Sequence, residues 1–190
     1  MGGPMRRDPG RRPPCVVVIG VSGVGKTTVA RLLARRLGVP FAEADDFHSP
    51  ESVAKMSAGV PLTDADRETW LEAIGRWLRE RDRAATGGVV PCSALRRRYR
   101  DVLRAACPDA FFVHLTARHE EVGRRMSERS GHFMPRALLE SQEATLEPLE
   151  AGERGGAVDA GPAPGAVVES VLDLMAEAGD DTEGPWPTTG

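Results

Sequence analysis

Apolar positions along the chain alternate between short unbroken runs and stretches spaced three and four apart. Cys15–Ile19 is continuous and mostly β-branched, as expected of a strand buried on both faces. Thr27–Leu37 switches to helical spacing, with Val29, Leu32, Leu33 and Leu37 inward. Gly38 supplies the cap and Pro40 blocks continuation. A short strand is predicted around Phe41–Ala44, then a helix from about Pro50 to Ser57 that ends at Gly59-Val60-Pro61. Thr63 and Asp66 make a capping-box-like start to a long helix whose Trp70, Ile74, Trp77 and Leu78 share one face. Val89–Cys92 is a third strand with Pro91 marking its carboxyl end, and Ser93 is placed to cap the helix after it. Ala110–Leu115 is a fourth strand, with Thr116 as the next cap. A Gly-His-Phe-Met-Pro break at 131–135 separates that helix from another at about 136–145. A weak strand near Ala157–Asp159 precedes a last amphipathic helix carrying Val167, Val168, Val171, Leu172 and Met175.

Such alternation predicts an α/β fold, a mostly parallel five-stranded sheet with helices on both faces and right-handed crossovers. The 190 residues suit one domain, expected at 15–178 between a disordered basic leader (1–14) and a flexible tail (179–190). With 41% hydrophobic side chains and a net charge of only −3, wholesale disorder is excluded. The longest apolar run is strand-sized, so no membrane span is expected, and the basic start lacks a signal-peptide pattern. Cys15, Cys92 and Cys107 are odd in number and lack metal spacing, which points to reduced thiols and a cytoplasmic setting.

Gly20-Val21-Ser22-Gly23-Val24-Gly25-Lys26-Thr27 fits the pattern G-x-x-x-x-G-K-[ST] at every fixed position, between a predicted strand and a predicted helix. Backbone amides of such a loop curl around a polyphosphate, and the helix N-terminus adds partial positive charge. Lys26 is placed to reach the β- and γ-phosphates of ATP, the Thr27 hydroxyl to ligate Mg²⁺, and Thr28 to follow in the first helical turn. Of 25 basic residues only Lys26 and Lys55 are lysine, which singles out two positions where a compact ammonium is retained.

The chain lacks a strand ending in Asp-Glu and an Asn-Lys-x-Asp guanine reader. Its second predicted strand instead ends in Glu43-Ala44-Asp45, setting a carboxylate at the sheet edge where open α/β folds bind ligands. A carboxylate there can orient an acceptor hydroxyl and take its proton. His48, Lys55, Asp66, Arg67, Ser93, Arg97, Tyr99 and Arg100 fall near predicted strand ends, a set suited to an anionic, hydroxyl-bearing small molecule. The run Arg96–Arg100 raises nucleic acid as a partner, but one basic run in an acidic chain is no basic surface. On these residues a small-molecule kinase of the shikimate or nucleoside monophosphate type stays open, as does a non-catalytic, nucleotide-dependent binding module.

Several blocks closely resemble the small P-loop gluconokinases: the phosphate loop, Asp45-x-x-His48, Lys55-Met56 through Asp66-Arg67-x-x-Trp70-Leu71, Cys92-Ser93-Ala94-Leu95-x-x-x-Tyr99-Arg100-Asp101, Gly131-His132-Phe133 and Gln142-x-x-Thr145-Leu146. The resemblance spans roughly residues 15–175. It implies a P-loop NTPase-like, three-layer α/β/α kinase with a mobile lid at about 125–135, ATP and Mg²⁺ as cofactors, and transfer to the terminal hydroxyl of D-gluconate. By position it implies that Asp45 activates that hydroxyl. His48, Lys55, Arg67, Ser93, Tyr99, Arg100, His132 and Gln142 would line the gluconate side. Arg125 and Arg129 would come from the lid to neutralise the transferred phosphoryl. It further implies a possible homodimer and no nucleic-acid or membrane partner. The chain departs from the family in reading Glu43-Ala44-Asp45 for Asp-Gly-Asp and His48-Ser49-Pro50 for His-Pro.

Overall fold

A computed structural model describes residues 12–128 and 136–180 of the chain. In order it contains β1 (Cys15–Ile19), α1 (Lys26–Leu37), a 3-10 turn (Ala44–Phe47), α2 (Pro50–Ser57), α3 (Asp64–Arg83), β2 (Gly88–Pro91) and α4 (Arg97–Ala106). There follow β3 (Phe111–Thr116), α5 (His119–Glu128), α6 (Arg136–Thr145), β4 (Gly155–Asp159) and α7 (Pro164–Asp180). The expected positions 1–11, 129–135 and 181–190 of leader, lid and tail lie outside the described residues. Pro14 accepts a hydrogen bond from the Gly88 amide, and α7 continues through Asp180 into the segment expected to be tail.

Among the described residues the sheet has four strands, ordered β2-β1-β3-β4 and parallel throughout, rather than five. The missing strand is Phe41–Ala44, which makes one parallel bridge, Phe41 to Val89. Pro40 has no N–H to donate, and the chain turns into the 3-10 segment at Ala44, so only the Ala42 amide and Pro40 carbonyl reach Val89.

Strand alternation divides the core in two. Val16, Val18, Phe111, Val113 and Leu115 face α1 and α7, packing on Val29, Leu33, Val167 and Val171. Cys15, Val17, Ile19, Val90 and Phe112 face the other way, onto Leu71, Ile74 and Leu78 of α3 and Leu103 of α4. Because both faces are covered, β1 is apolar throughout and is at most 5% exposed at any position. β4 looks weak in sequence for a spatial reason. Gly155 has φ +151, and a Cβ there would stand 1.9 Å from the Phe112 carbonyl oxygen, so only glycine lets this edge strand close on β3.

Two predicted caps are replaced. α4 starts at Arg97, and its first free amide is taken by the Glu147 carboxylate from fifty residues away, not by Ser93. The Thr116 hydroxyl donates to the Val158 carbonyl across the sheet edge instead of capping α5. The Thr63–Asp66 capping box forms in both directions.

The chain runs from β1 to β2 on one side and then crosses to β3 on the other. The carboxyl end of β1 is therefore the switch point of the sheet, where a ligand crevice opens.

Candidate active site

The segment leaving β1 curls at that switch point. Gly20 takes φ +145, and a Cβ there would meet the Leu115 carbonyl oxygen at 2.7 Å, so the loop turns away from the sheet only with glycine. Gly25 is the N-cap of α1, and no acidic residue stands in that helix's first turn to compete for an anion. The Lys26 ammonium donates to the Val21 carbonyl at 2.9 Å, lying across the mouth of the loop. The Thr27 hydroxyl donates to Glu43 at 3.2 Å, and the other Glu43 oxygen meets Arg31 at 3.3 Å. Glu43, whose role the sequence left open, thus stands directly behind the hydroxyl expected to hold a metal. The donor set of Thr27 hydroxyl and Glu43 carboxylate consists of hard oxygens and suits hydrated Mg²⁺.

Beside the loop lies a cavity of about 510 Å³ walled by Gly23–Gly25, Thr28, Val29, Arg125, the loop from Ala160 to Pro164, and Val167. Arg125 donates to the carbonyls of Val24, Ala160 and Gly161 and to the Glu121 carboxylate. It therefore stands on the cavity wall between the phosphate loop and the segment after β4. Arg129, the other expected lid arginine, and His132 lie outside the described residues.

Across the switch point, the 3-10 turn presents Asp45 with 87% of its side chain exposed. His48 sits behind it, its Nε2 4.0 Å from the carboxylate, and stacks on Trp70 with centroids 4.8 Å apart and planes within 6°. The Trp70 indole N–H donates to the Ala44 carbonyl at 2.7 Å, so one α3 side chain fixes both the turn and the imidazole. Burial pushes the His48 pKa down, opposed by Asp45. The spacing of α3 sets Trp70 on its inward face, and its block carries part of the family resemblance; its hold on the turn and the imidazole appears only in three dimensions.

Lys55 from α2 donates to both oxygens of Asp66 at 2.7–2.8 Å. Tyr99 hydrogen-bonds Asp64 at 3.1 Å. Arg67 is exposed in the first turn of α3, and Ser93 is half-buried just after β2. Gln142, which the resemblance places on the gluconate side, hydrogen-bonds the amide and hydroxyl of Ser22 in the phosphate loop.

Arg100 corrects the sequence expectation most clearly. It is fully buried, and all five of its N–H groups are used: two on Glu153, and three on the carbonyls of Leu95, Glu147 and Pro148. None is left for a sugar acid, so Arg100 ties α4 to the segment before β4. Arg97 and Arg98 are likewise paired, with Asp101 and Glu150 and with Asp64. Three of the four arginines in the run, Arg97, Arg98 and Arg100, are thereby paired within the fold.

The Asp66 carboxyl is held down at about 2 by the Lys55 ammonium and by the Thr63 amide and hydroxyl. Its unfolded value is about 3.9, so its stabilising contribution is complete above about pH 4 and is lost as pH falls towards 2. Asp66→Asn should flatten that part of the acid limb, as read by urea melts at intervals between these two pH values. An acid limb unchanged from wild type would show that the pair contributes nothing.

The buried thiol of Cys92, at the carboxyl end of β2, is pushed up to about 12 by burial, while Lys26 lowers it and Asp45 raises it. Among the described residues no helix is long and apolar enough to cross a membrane.

Comparison with known proteins agrees with this geometry. Residues 22–155 match the shikimate kinase family. A gluconokinase of Gluconobacter oxydans is 53% identical over 138 residues, covering 73% of this chain and 78% of that protein. The thermosensitive gluconokinase of Escherichia coli is 40% identical over 138 residues, with 73% and 74% covered. The crystal structure of a gluconokinase from Sinorhizobium meliloti superposes with a TM-score of 0.78 at 44% identity, covering 90% of this chain and 96% of that one. The chain belongs to the gluconokinases, within the shikimate kinase family of P-loop kinases.

Proposed function

We propose that the protein phosphorylates D-gluconate on its terminal hydroxyl with ATP, giving 6-phosphogluconate. The observation that supports this most is the complete phosphate loop at the switch point of the sheet together with the exposed Asp45 carboxylate on the 3-10 turn that follows α1. Loop amides and the N-terminus of α1 bind the triphosphate, and the 510 Å³ cavity receives the nucleoside. Lys26 leaves the Val21 carbonyl to meet the β- and γ-phosphates. Thr27, backed by Glu43, holds Mg²⁺, which neutralises charge on the phosphates when bound. Asp45 accepts the proton of the attacking hydroxyl, and His48 and Trp70 keep its turn in place.

His48, Lys55, Arg67, Ser93 and Tyr99 form the wall for a linear polyol acid, with Lys55 as its cation. Arg125 carries positive charge beside the phosphate loop, and Arg129 and His132 complete the lid side of the same proposal. Three free, buried cysteines support a reducing, cytoplasmic setting, and a homodimer belongs to this reading.

The test is ADP release measured across D-gluconate, other aldonates, shikimate and AMP. Gluconate should exceed every other acceptor by at least about tenfold in kcat/KM, the factor that one or two missing hydrogen bonds produce. Equal or greater turnover with shikimate or AMP would overturn the assignment.

A further inference from the structure

The Ser22 amide donates to Gln142 Oε1 at 2.7 Å, and Gln142 Nε2 donates to the Ser22 hydroxyl at 3.1 Å. A backbone N–H can only donate, so the orientation of the Gln142 amide is fixed by its partner. The peptide group that carries the Ser22 N–H also carries the Val21 carbonyl, and that carbonyl accepts from Lys26. One peptide unit of the phosphate loop is therefore held at its N–H end by Gln142 and at its oxygen by Lys26 and, at 3.4 Å, by the Val24 amide.

Gln142 is itself anchored. Its helix, α6, buries Leu139, and the neighbouring Glu143 pairs with His119 at 2.8 Å. Just beyond the helix, the Glu147 amide donates to Leu95, and the carbonyls of Glu147 and Pro148 accept from the buried Arg100. The side chain thus reaches the loop from a fixed base.

We propose that Gln142 is a positioning residue of the phosphate loop: by gripping the Ser22 amide and hydroxyl it sets the Val21–Ser22 peptide, and with it the seat of the Lys26 ammonium. Without that grip the peptide keeps only the bonds at its oxygen, from Lys26 and the Val24 amide, and its N–H end is no longer held in one orientation. The triphosphate then meets a loop and a lysine that must be ordered on binding, and ATP affinity falls. Gluconate is untouched by this, in contrast to the acceptor-side role that resemblance implies for Gln142. The inference rests on the nucleotide half of the proposed function and is independent of which acceptor is used.

Calorimetric titrations of wild type, Gln142→Ala, Ser22→Ala and the double variant with Mg·ATP, and separately with D-gluconate, test it. Gln142→Ala should weaken ATP by about five- to 150-fold, the range for a lost pair of neutral hydrogen bonds, with gluconate affinity within twofold of wild type. Ser22→Ala removes only the hydroxyl and should weaken ATP less, and its effect should vanish in the Gln142→Ala background. Weaker gluconate with unchanged ATP, additive losses in the double variant, or no change in either ligand would each overturn the proposal. If wild type binds ATP and phosphorylates no sugar acid while the ATP pattern holds, the acceptor assignment fails and the role of Gln142 stands.

Discussion

Asp45→Asn should lower kcat by about 10²- to 10⁴-fold, the span that a positioned general base contributes, with ATP affinity nearly unchanged. The substitution keeps shape and hydrogen-bonding capacity and removes only the ability to take a proton. Because 87% of the Asp45 side chain is exposed, the fold loses no buried contact, and the melting temperature should stay at the wild-type value. The Ala44–Phe47 turn is held by Trp70 through the Ala44 carbonyl, not by the Asp45 carboxylate, so the replaced group stays where it was. Single-turnover phosphorylation of gluconate gives the chemical step directly. Full retention of kcat would make the carboxylate a bystander.

Arg100→Met should cost about 3–5 kcal/mol of stability, the range for breaking a buried ion pair by removing one partner. Arg100 and Glu153 are both fully enclosed, and the variant leaves Glu153 with one remaining donor, the Glu150 amide, plus a distant Arg97 at 3.9 Å. Burial pushes the Glu153 carboxyl up, but the hydrogen bonds from Arg100 and Glu150 and the charges of Arg100 and Arg97 outweigh it and hold it below the ordinary value. Its contribution is therefore present at neutral pH and is lost as pH falls through the depressed value. For a chain of this size the melting temperature should drop by about 6–20 °C. The double variant Arg100→Met/Glu153→Leu should recover much of the loss, because no charge then stays buried. An Arg100→Met melting curve superimposable on wild type would contradict the latch.

Legibility in the sequence followed the range of the interactions. β1, α1, the capping box of α3 and the phosphate loop rest on neighbours a few residues apart, and their boundaries could be read directly. Phe41–Ala44 has strand-like residues, but its pairing depended on how far the chain could follow β2, and only one bridge forms. The start of α4 was misassigned because its capping carboxylate, Glu147, is fifty positions away. Arg100 stood among exposed-looking arginines and Glu153 in a glycine-rich acidic stretch, so neither showed the other. The polar character of Asp45 and Lys55 was legible in the sequence, whereas the stacking of His48 on Trp70 and the grip of Gln142 on Ser22 exist only in three dimensions.

The most direct test of the account is a crystal structure of the protein with Mg²⁺, a non-hydrolysable ATP analogue and D-gluconate bound together. The terminal hydroxyl oxygen should lie about 3–3.5 Å from the γ-phosphorus, in line with the bridging oxygen to be displaced, with Asp45 within hydrogen-bonding reach. A sugar acid bound with its carboxylate towards the phosphorus, or with Asp45 out of contact, would contradict it.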